Sequence, residues 1–204
     1  MKTLIAVPCG DTIPVDFFQS YLRLEVVGSV QLTLARGSLV YDARNNLANV
    51  AKVAPFDRVL WLDSDMVFPP DLFKRLSAHL DAGKQMVSAL YFARKEPHRP
   101  VAYKRVYLEE HQPRPIPHAD HTTEWGKDLM QIEGCGFGAV MMTADLVRRV
   151  EERWPPFSPE PFFGEDLTFC NHVRELGETI WLDPTLSIGH VGSSVFTEAN
   201  YKEG

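Results

Sequence analysis

The stretch Arg58-Val-Leu-Trp-Leu-Asp63-Ser-Asp65-Met-Val67 decides the fold, because four apolar residues lead directly into two carboxylates. An apolar run this short predicts a strand that is covered on both faces in a parallel sheet. The carboxylates follow at its carboxyl end, where open α/β sheets bind ligands. Two aspartates at this spacing can reach one hard divalent cation, Mg²⁺ or Mn²⁺, although Asp is also frequent in ordinary turns. The stretch predicts an α/β fold and leaves a metal site and a plain turn open.

Composition narrows the class of protein without choosing a function. The chain has 204 residues, of which 45% are apolar, and a formal net charge of −6. It can therefore bury a full core and has no general attraction to nucleic acid. No stretch approaches the roughly 18 apolar residues of a membrane span, and Asp11 and Asp16 interrupt the apolar start, which predicts a first strand instead of a signal peptide. Cys9, Cys135 and Cys170 form no spaced pair, which favours reduced thiols and a cytoplasmic location.

Strand patterns alternate with helical patterns through the first ninety residues, which predicts a mostly parallel central sheet flanked by helices. Strands are predicted at 3–7, 30–35, 59–62, 85–91, 129–133, 138–143, 179–182 and 186–190. Helices are predicted at 13–27, 41–53, 69–83, 144–153 and 166–176. Between 93 and 127 the pattern dissolves into a segment rich in Pro, His and Arg, where we expect loops around one or two short strands.

Two further acids, Glu165 and Asp166, follow Gly164 at the start of a predicted amphipathic helix. Carboxylates at a helix N-terminus interact well with the helix dipole and the free N–H groups, which needs no function. A carboxylate that projects from such a loop can also accept a proton from an attacking hydroxyl. The local pattern leaves both interpretations open.

Three other features are ambiguous when each is taken alone. His190 lies between two glycines at a strand end, either as a packed or solvated side chain or as a ligand of a divalent metal. Gly134, Gly136 and Gly138 suit a tight turn as well as a platform for a ligand, and they match neither a dinucleotide-binding fingerprint nor a P-loop. Arg44, near the start of a helix, can reach a phosphate or pair with surface acids.

The order of these motifs along the chain resembles the GT-A glycosyltransferases, especially family 2-like members. The matching features are an apolar–proline segment at 4–8, Ala-Arg-Asn at 43–45, Asp-x-Asp at 63–65, a small-residue strand opening at 134–138, Glu-Asp at 165–166 and the late His190. The resemblance covers most of the chain, from 3 to about 192. The chain is short for this family and segment 93–127 matches no part of it, so the acceptor is not indicated.

The resemblance implies a Rossmann-like GT-A fold and a single catalytic domain over 1–204, with a nucleotide-binding half at 1–92 and an acceptor and metal-completing half at 93–204. It implies transfer of a sugar from a nucleotide-diphosphate sugar, with a UDP-sugar favoured, to the hydroxyl of an unknown acceptor with inversion. The donor's phosphates would be repelled by an acidic site unless a cation intervened, and that cation would also stabilise charge on the leaving group.

The resemblance also assigns residues to roles. Asp63, Asp65 and His190 would hold Mn²⁺ or Mg²⁺. Asp166 would be the base that deprotonates the acceptor, and Glu165 is the substitute candidate. The nucleotide-binding residues would be Val7, Pro8, Arg44, Asp63, Ser64, Asp65 and Gly136. The aromatic candidates for stacking on a sugar face are Trp125, Trp154 and Phe163.

Two other classes of protein share parts of this pattern. A nucleotidyltransferase would have a similar sheet and acidic metal site, but its first strand normally leads into a glycine-rich and basic loop. Here segment 8–12, Pro-Cys-Gly-Asp-Thr, contains no lysine or arginine. A non-catalytic module that binds a sugar or a nucleotide would keep the pocket without needing Asp166. Net charge gives no indication of a nucleic-acid acceptor, which stays open, and turnover of the donor separates the three classes.

Overall fold

The computed structural model describes residues 1–37, 39–192 and 195–200. Its strands are β1 (Lys2–Cys9), β2 (Ser29–Arg36), β3 (Arg58–Leu62), β4 (Met66–Val67), β5 (Met86–Leu90), β6 (Ala102–Glu109), β7 (Ile116–His121), β8 (Met130–Ile132), β9 (Gly134–Cys135), β10 (Ala139–Thr143), β11 (Ile180–Ser187), β12 (Gly189–Val191) and β13 (Val195–Phe196). Its helices are α1 (Val15–Leu22), α2 (Val40–Val53), α3 (Leu72–Asp81), α4 (Ala144–Glu151), α5 (Glu165–Glu175) and a 3₁₀ turn at Glu198–Asn200.

Within the described residues, the central sheet has seven strands in the order β2-β1-β3-β10-β5-β11-β8. Strands β1, β2, β3, β5 and β11 run in one direction, whereas β10 and β8 run in the opposite direction. The prediction of a mostly parallel central sheet is confirmed. The position of β10 between β3 and β5 was not predicted, because its apolar sequence indicates burial and carries no signal for direction.

The sheet is covered on both faces, as the apolar run of β3 predicts. Val59 and Trp61 pack into one hydrophobic cluster with buried residues of α2, α4 and α5. Leu60 and Leu62 pack into the other cluster, with buried residues of α1 and α3. Alternate side chains of one strand thus enter opposite layers of the core, and all five residues of β3 are buried. The helices therefore flank the sheet on two sides.

Most predicted elements differ from the structure by a few residues at their ends, and two differ by more. The helix predicted at 13–27 ends at Leu22, and the N–H of Glu25 donates instead to the carbonyl of Pro70 at 2.8 Å. A tertiary hydrogen bond therefore replaces the helical pattern after that point. The strand predicted at 186–190 is divided, because β11 continues to Ser187 while β12 belongs to a separate sheet with β4 and β13.

The aperiodic segment 93–127 contains two strands, as expected, but these strands are longer than the short ones predicted. β6 has eight residues and β7 has six, and they form an antiparallel pair. β6 also pairs with β9, which gives a third sheet in the order β7-β6-β9. This small sheet joins the segment to α5, because β9 contacts that helix. In the part of the chain that is described, no helix has the length and apolar character needed to cross a membrane.

Candidate functional site

The turn after β3 places Asp63, Ser64 and Asp65 at the carboxyl end of the strand. The N–H of Asp63 donates to the carbonyl of Gly138 at 3.1 Å. The carbonyl of Asp65 accepts the N–H of Val191 at 2.7 Å. The backbone of the turn is therefore held from two directions, by the residue preceding β10 and by β12. This bracing fixes the positions from which the two carboxylates project.

His190 reaches this turn through the pairing of two very short strands. β12 pairs antiparallel with β4, so that His190 lies opposite Met66. The Nδ1 atom of His190 is 3.0 Å from the carbonyl of Phe92, and its Nε2 atom is 3.3 Å from Oδ2 of Asp65. A ring nitrogen bonded to a carbonyl carries the proton, so a neutral ring presents its Nε2 lone pair toward Asp65. This is the tautomer in which a histidine binds a metal.

Arg94 is a member of this group that sequence reasoning missed. Its Nη1 atom is 3.2 Å from Oδ2 of Asp65 and donates to the carbonyl of Val191 at 3.1 Å. Burial acts to raise the pKa of Asp65, but the hydrogen bond and charge that His190 provides when its ring is doubly protonated, with the charge of Arg94, hold that pKa below its usual value. Arg94 lies in a segment without periodicity, so no sequence pattern indicated it.

Asp63 is held by a different partner. Arg44, whose side chain is only 4% exposed, donates from Nη2 to Oδ1 of Asp63 at 2.8 Å and from Nη1 to Oε1 of Glu165 at 2.6 Å. Burial raises the pKa of Asp63, and Arg44 opposes that rise. Both of the acids that Arg44 binds are themselves partly buried, and Arg44 ties the end of β3 to the start of α5.

The three side chains predicted as metal ligands are only partly assembled. Asp65 and His190 are adjacent, whereas Asp63 is paired with Arg44. Among the described residues, no group of three or more His, Cys, Asp or Glu side chains converges in a way that could hold a metal ion. The structure therefore brings together a pair of candidate ligands and not the predicted set of three.

Asp166 lies in the first turn of α5, and its Oδ1 atom accepts the N–H of Leu167 at 2.7 Å. Burial raises the pKa of Asp166 to about 6 against the opposing charge of Arg44, and the negative charges of Glu165 and Asp63 add to the rise. A carboxyl group with a pKa near the working pH suits proton transfer better than an ordinary surface aspartate does. The side chain thus has an electrostatic property that a simple helix cap does not need.

A cleft of about 340 Å³ opens at the carboxyl ends of β1 and β3. It is lined by Pro8, Cys9, Gly10, Gly37, Val40, Ala43, Asp63, Ser64, Asp65, Arg94 and His190. Several residues predicted for the nucleotide or the metal are among them. Val7 is fully buried instead, and Arg44 lies behind Asp63. The cleft therefore lies where the sequence predicts a ligand, with a lining that differs in part.

Gly136 serves packing within the protein. A Cβ atom at this position would lie 2.0 Å from the hydroxyl of Tyr91 and 2.8 Å from Val101. The buried ring of Tyr91 in turn meets the His190 ring edge to face, with centroids 5.7 Å apart. These contacts favour the tight packed turn over the ligand platform at Gly136, and its predicted role in binding the nucleotide stays a prediction.

Gly136→Ala is expected to destabilise the fold by about 1–3 kcal/mol, because the added methyl group forces Tyr91 to move in a closely packed region. Urea denaturation of the variant measures the effect. Gly126→Ala is the control, since a Cβ atom there would have no neighbour within 4 Å. Equal stability of the two variants would contradict the packing role.

None of the three aromatic residues predicted to stack on a sugar is among the described residues that line this cleft. Trp154 is stacked on His172, with centroids 4.6 Å apart and an interplanar angle of 3°. Trp125 donates from Nε1 to Glu198 at 3.2 Å. Phe163 lines a second cleft, of about 500 Å³, between β6 and α5. Stacking of these rings on a sugar stays a prediction.

Comparison with known proteins bears on the fold. No family model matches the chain, and no curated protein matches it. Among solved structures, A197 from STIV is 18% identical, with a TM-score of 0.63 over 94% of this chain and 86% of that chain. GalNAc-T7 with UDP, GalNAc and Mn²⁺ is 9% identical, with a TM-score of 0.60 over 94% of this chain. This chain spans 43% of the GalNAc-T7 chain. At such identities the likeness concerns the fold alone, and the α/β fold of the GT-A glycosyltransferases predicted for this chain is confirmed.

Proposed function

We propose that this protein is a metal-dependent glycosyltransferase that moves a sugar from a nucleotide-diphosphate sugar, with a UDP-sugar favoured, to an acceptor hydroxyl with inversion. One observation carries the proposal. The Asp65–His190 pair lines the cleft, and Arg44 links Asp63 in the same cleft to the helix turn that bears Asp166. The GT-A fold supports it, as does the solved neighbour that contains UDP and Mn²⁺.

The side chains present fit a divalent cation. The carboxylate of Asp65 and Nε2 of His190 are donors that Mn²⁺ accepts, and the bond from Nδ1 to Phe92 fixes the ring. Mg²⁺ and Mn²⁺ at nucleotide sites are commonly bound by one or two side chains together with phosphate oxygens, so a protein set of two is sufficient. When bound, such an ion would neutralise the charge of the diphosphate, both in the bound donor and as that diphosphate departs.

The protein's own groups perform the remaining steps. Asp166 accepts the proton of the acceptor hydroxyl as its oxygen attacks the anomeric carbon, and the nucleotide diphosphate departs from the opposite face. A single displacement needs only one base, whereas retention by double displacement needs a nucleophile as well. Glu165 is bound to Arg44 at 2.6 Å, which makes it a positioning residue first and a substitute base second.

The rest of the cleft provides a wall for the nucleotide. Pro8 and Gly10 at the end of β1, with Val40 and Ala43 on α2, present apolar and small surfaces beside the acids. Asp63 and Ser64 add polar groups to this lining that would hydrogen-bond a ribose or a phosphate. The division into a nucleotide-binding half at 1–92 and an acceptor half at 93–204 stays a prediction, and both parts contribute strands to the central sheet.

Release of nucleotide diphosphate from a panel of sugar nucleotides, measured in the presence of Mn²⁺, tests the proposed function. Water can occupy the acceptor position, so hydrolysis of the donor is expected even without an acceptor. A non-catalytic module would bind a sugar nucleotide and release no nucleotide diphosphate. A nucleotidyltransferase would instead form pyrophosphate from a nucleoside triphosphate and a sugar phosphate. Either of these results would contradict transfer.

Binding of UDP is expected to require Mn²⁺ or Mg²⁺, because the diphosphate would otherwise approach Asp63 and Asp65 without a neutralising ion. Calorimetric titration of UDP into the protein, with Mn²⁺ and then with EDTA, measures the dependence. We expect an affinity at least about tenfold weaker in EDTA. Equal affinity under the two conditions would contradict a bridging cation.

A further inference from the structure

Arg94 lies beside Asp65, at the position to which a divalent cation would also be attracted. Among the described residues that line the cleft, it is the one arginine or lysine. Its Nη1 atom and Nε2 of His190 approach the same atom, Oδ2 of Asp65, at 3.2 and 3.3 Å. The carboxylate oxygen that is the best candidate for a metal bond is therefore already in contact with a guanidinium group.

The contact between Arg94 and Asp65 is easily broken. The Arg94 side chain is 50% exposed, and an ion pair at that exposure contributes little to stability because water screens it. Among the described residues, its one other hydrogen bond is to the carbonyl of Val191. Arg44 offers the contrast within the same site, since it is 4% exposed and bonds two carboxylates. Arg94 can thus leave Asp65 while Arg44 stays in place.

A guanidinium group and a divalent cation cannot both stay close to one carboxylate oxygen without strong repulsion. Two unit charges 4 Å apart repel by about 4 kcal/mol near a protein surface, and a divalent ion doubles that energy. Binding of the ion therefore requires Arg94 to move. The donor diphosphate brings new anionic oxygens to the cleft, and a guanidinium group binds phosphate through paired hydrogen bonds.

We propose that Arg94 is a nucleotide-binding residue with two alternative partners: Asp65 in the absence of ligands, and the diphosphate of the nucleotide once a divalent cation is bound. This inference rests on the proposed function. It makes the binding of the cation and of the nucleotide cooperative, because the cation alone must displace Arg94 with no new partner for it. By linkage, each ligand then raises the affinity for the other by the same factor.

Arg94→Gln separates the two states, because its expected effects have opposite signs. Titration with Mn²⁺ alone is expected to show about fivefold to tenfold tighter binding than in the wild type, since no guanidinium group competes for Asp65. Titration with UDP in saturating Mn²⁺ is expected to show about tenfold weaker binding, since a charged phosphate contact is lost. Arg94→Lys keeps the charge, so its Mn²⁺ affinity is expected to stay near the wild-type value.

Arg23→Gln is the matched control, because it removes an exposed arginine at the end of α1, away from the cleft, and makes the same change in net charge. It is expected to alter neither affinity. Unchanged or weaker Mn²⁺ binding in Arg94→Gln, or unchanged UDP binding, would overturn the inference, as would a wild-type protein that binds no Mn²⁺. A wild type that binds Mn²⁺ and UDP but never releases nucleotide diphosphate from a sugar donor would refute only the proposed function.

Discussion

Asp166→Asn is expected to slow hydrolysis of the donor by about a hundredfold or more while UDP and Mn²⁺ still bind, because an amide cannot take up the proton of the attacking hydroxyl. The asparagine oxygen can still accept the N–H of Leu167, the bond that Asp166 makes at 2.7 Å. Steady-state release of UDP, together with calorimetric titration of UDP and Mn²⁺, separates the loss of chemistry from the loss of binding.

The pH dependence of the wild-type rate follows from the same side chain. With a pKa of about 6, Asp166 is protonated and inactive as a base at pH 5 and ionised at pH 7.5. The rate is therefore expected to rise with pH through about 6 and then to level off. The residual activity of Asp166→Asn should lack that rise.

The substitution is expected to stabilise the fold at neutral pH, which is opposite to the effect of losing a helix cap. The folded-state pKa of about 6 lies above the unfolded value of about 3.9, so stability is lost as pH rises between them and ionised Asp166 destabilises the folded protein. Because the side chain is only partly buried, we expect a gain of about 1–2 kcal/mol in the free energy of unfolding at pH 7.5, and almost none at pH 4.

Asp145→Asn provides the control for the cap interpretation. Asp145 occupies the first turn of α4, as Asp166 does in α5, but its side chain is 65% exposed and pairs only loosely with Arg149. Its replacement is expected to lower stability slightly and to leave donor hydrolysis unchanged. If Asp166→Asn behaved in the same way, with hydrolysis at the wild-type rate, Asp166 would be removed from the mechanism and Glu165 would become the next residue to test.

The α/β class and the mostly parallel central sheet could be predicted because the sequence patterns that indicate them are local. The apolar run of β3 and the leucines of α3 each report their own burial through spacing along the chain. The direction of β10 is not local, because it depends on which neighbours a short buried strand meets. The end of α1 is not local either, since a hydrogen bond from Glu25 to Pro70 replaces the helical continuation.

The candidate site shows the same limit at the level of side chains. Residue types and order indicated Asp65, His190 and Asp166, because metal binding and proton transfer require particular chemical groups. Contacts between them arise from long-range pairing, such as β4 with β12, whose strands are too short to leave a sequence pattern. Arg94 comes from an aperiodic loop. Only the tertiary structure therefore identifies which carboxylate contacts which arginine or histidine side chain.

Arg44→Met is expected to destabilise the protein by about 3 kcal/mol or more at pH 7.5, the largest loss of stability among these predictions. Methionine keeps much of the length of the side chain but leaves two carboxylates without their partner, and unpaired buried charges are strongly unfavourable. Asp63 and Glu165 are only 25% and 16% exposed, so water cannot fully replace the guanidinium group. Urea denaturation measures the change.

The loss is expected to shrink as pH falls. Burial already raises the pKa of Asp63 and Arg44 opposes that rise, so removing Arg44 raises the pKa further. When an acid has a higher pKa in the folded state than in the unfolded state, the free energy of unfolding falls as pH rises through the folded-state pKa. The loss of stability in Arg44→Met is therefore expected to be greatest at neutral pH. Denaturation repeated at pH 5 should therefore show a smaller difference from the wild type.

Arg58→Met is the matched control, because the Arg58 side chain is also buried and also pairs with a carboxylate, Asp81. Asp81 is 64% exposed and stays hydrated when it loses its partner, so a smaller and less pH-dependent loss is expected. Equal losses of stability in the two variants would show that burial of Asp63 and Glu165 does not increase the cost of removing Arg44. Since Arg44 joins the end of β3 to the start of α5, its removal is also expected to shift the first turn of α5, and Asp166 with it, relative to the cleft. Donor hydrolysis by folded Arg44→Met is therefore expected to fall more than its affinity for UDP in Mn²⁺.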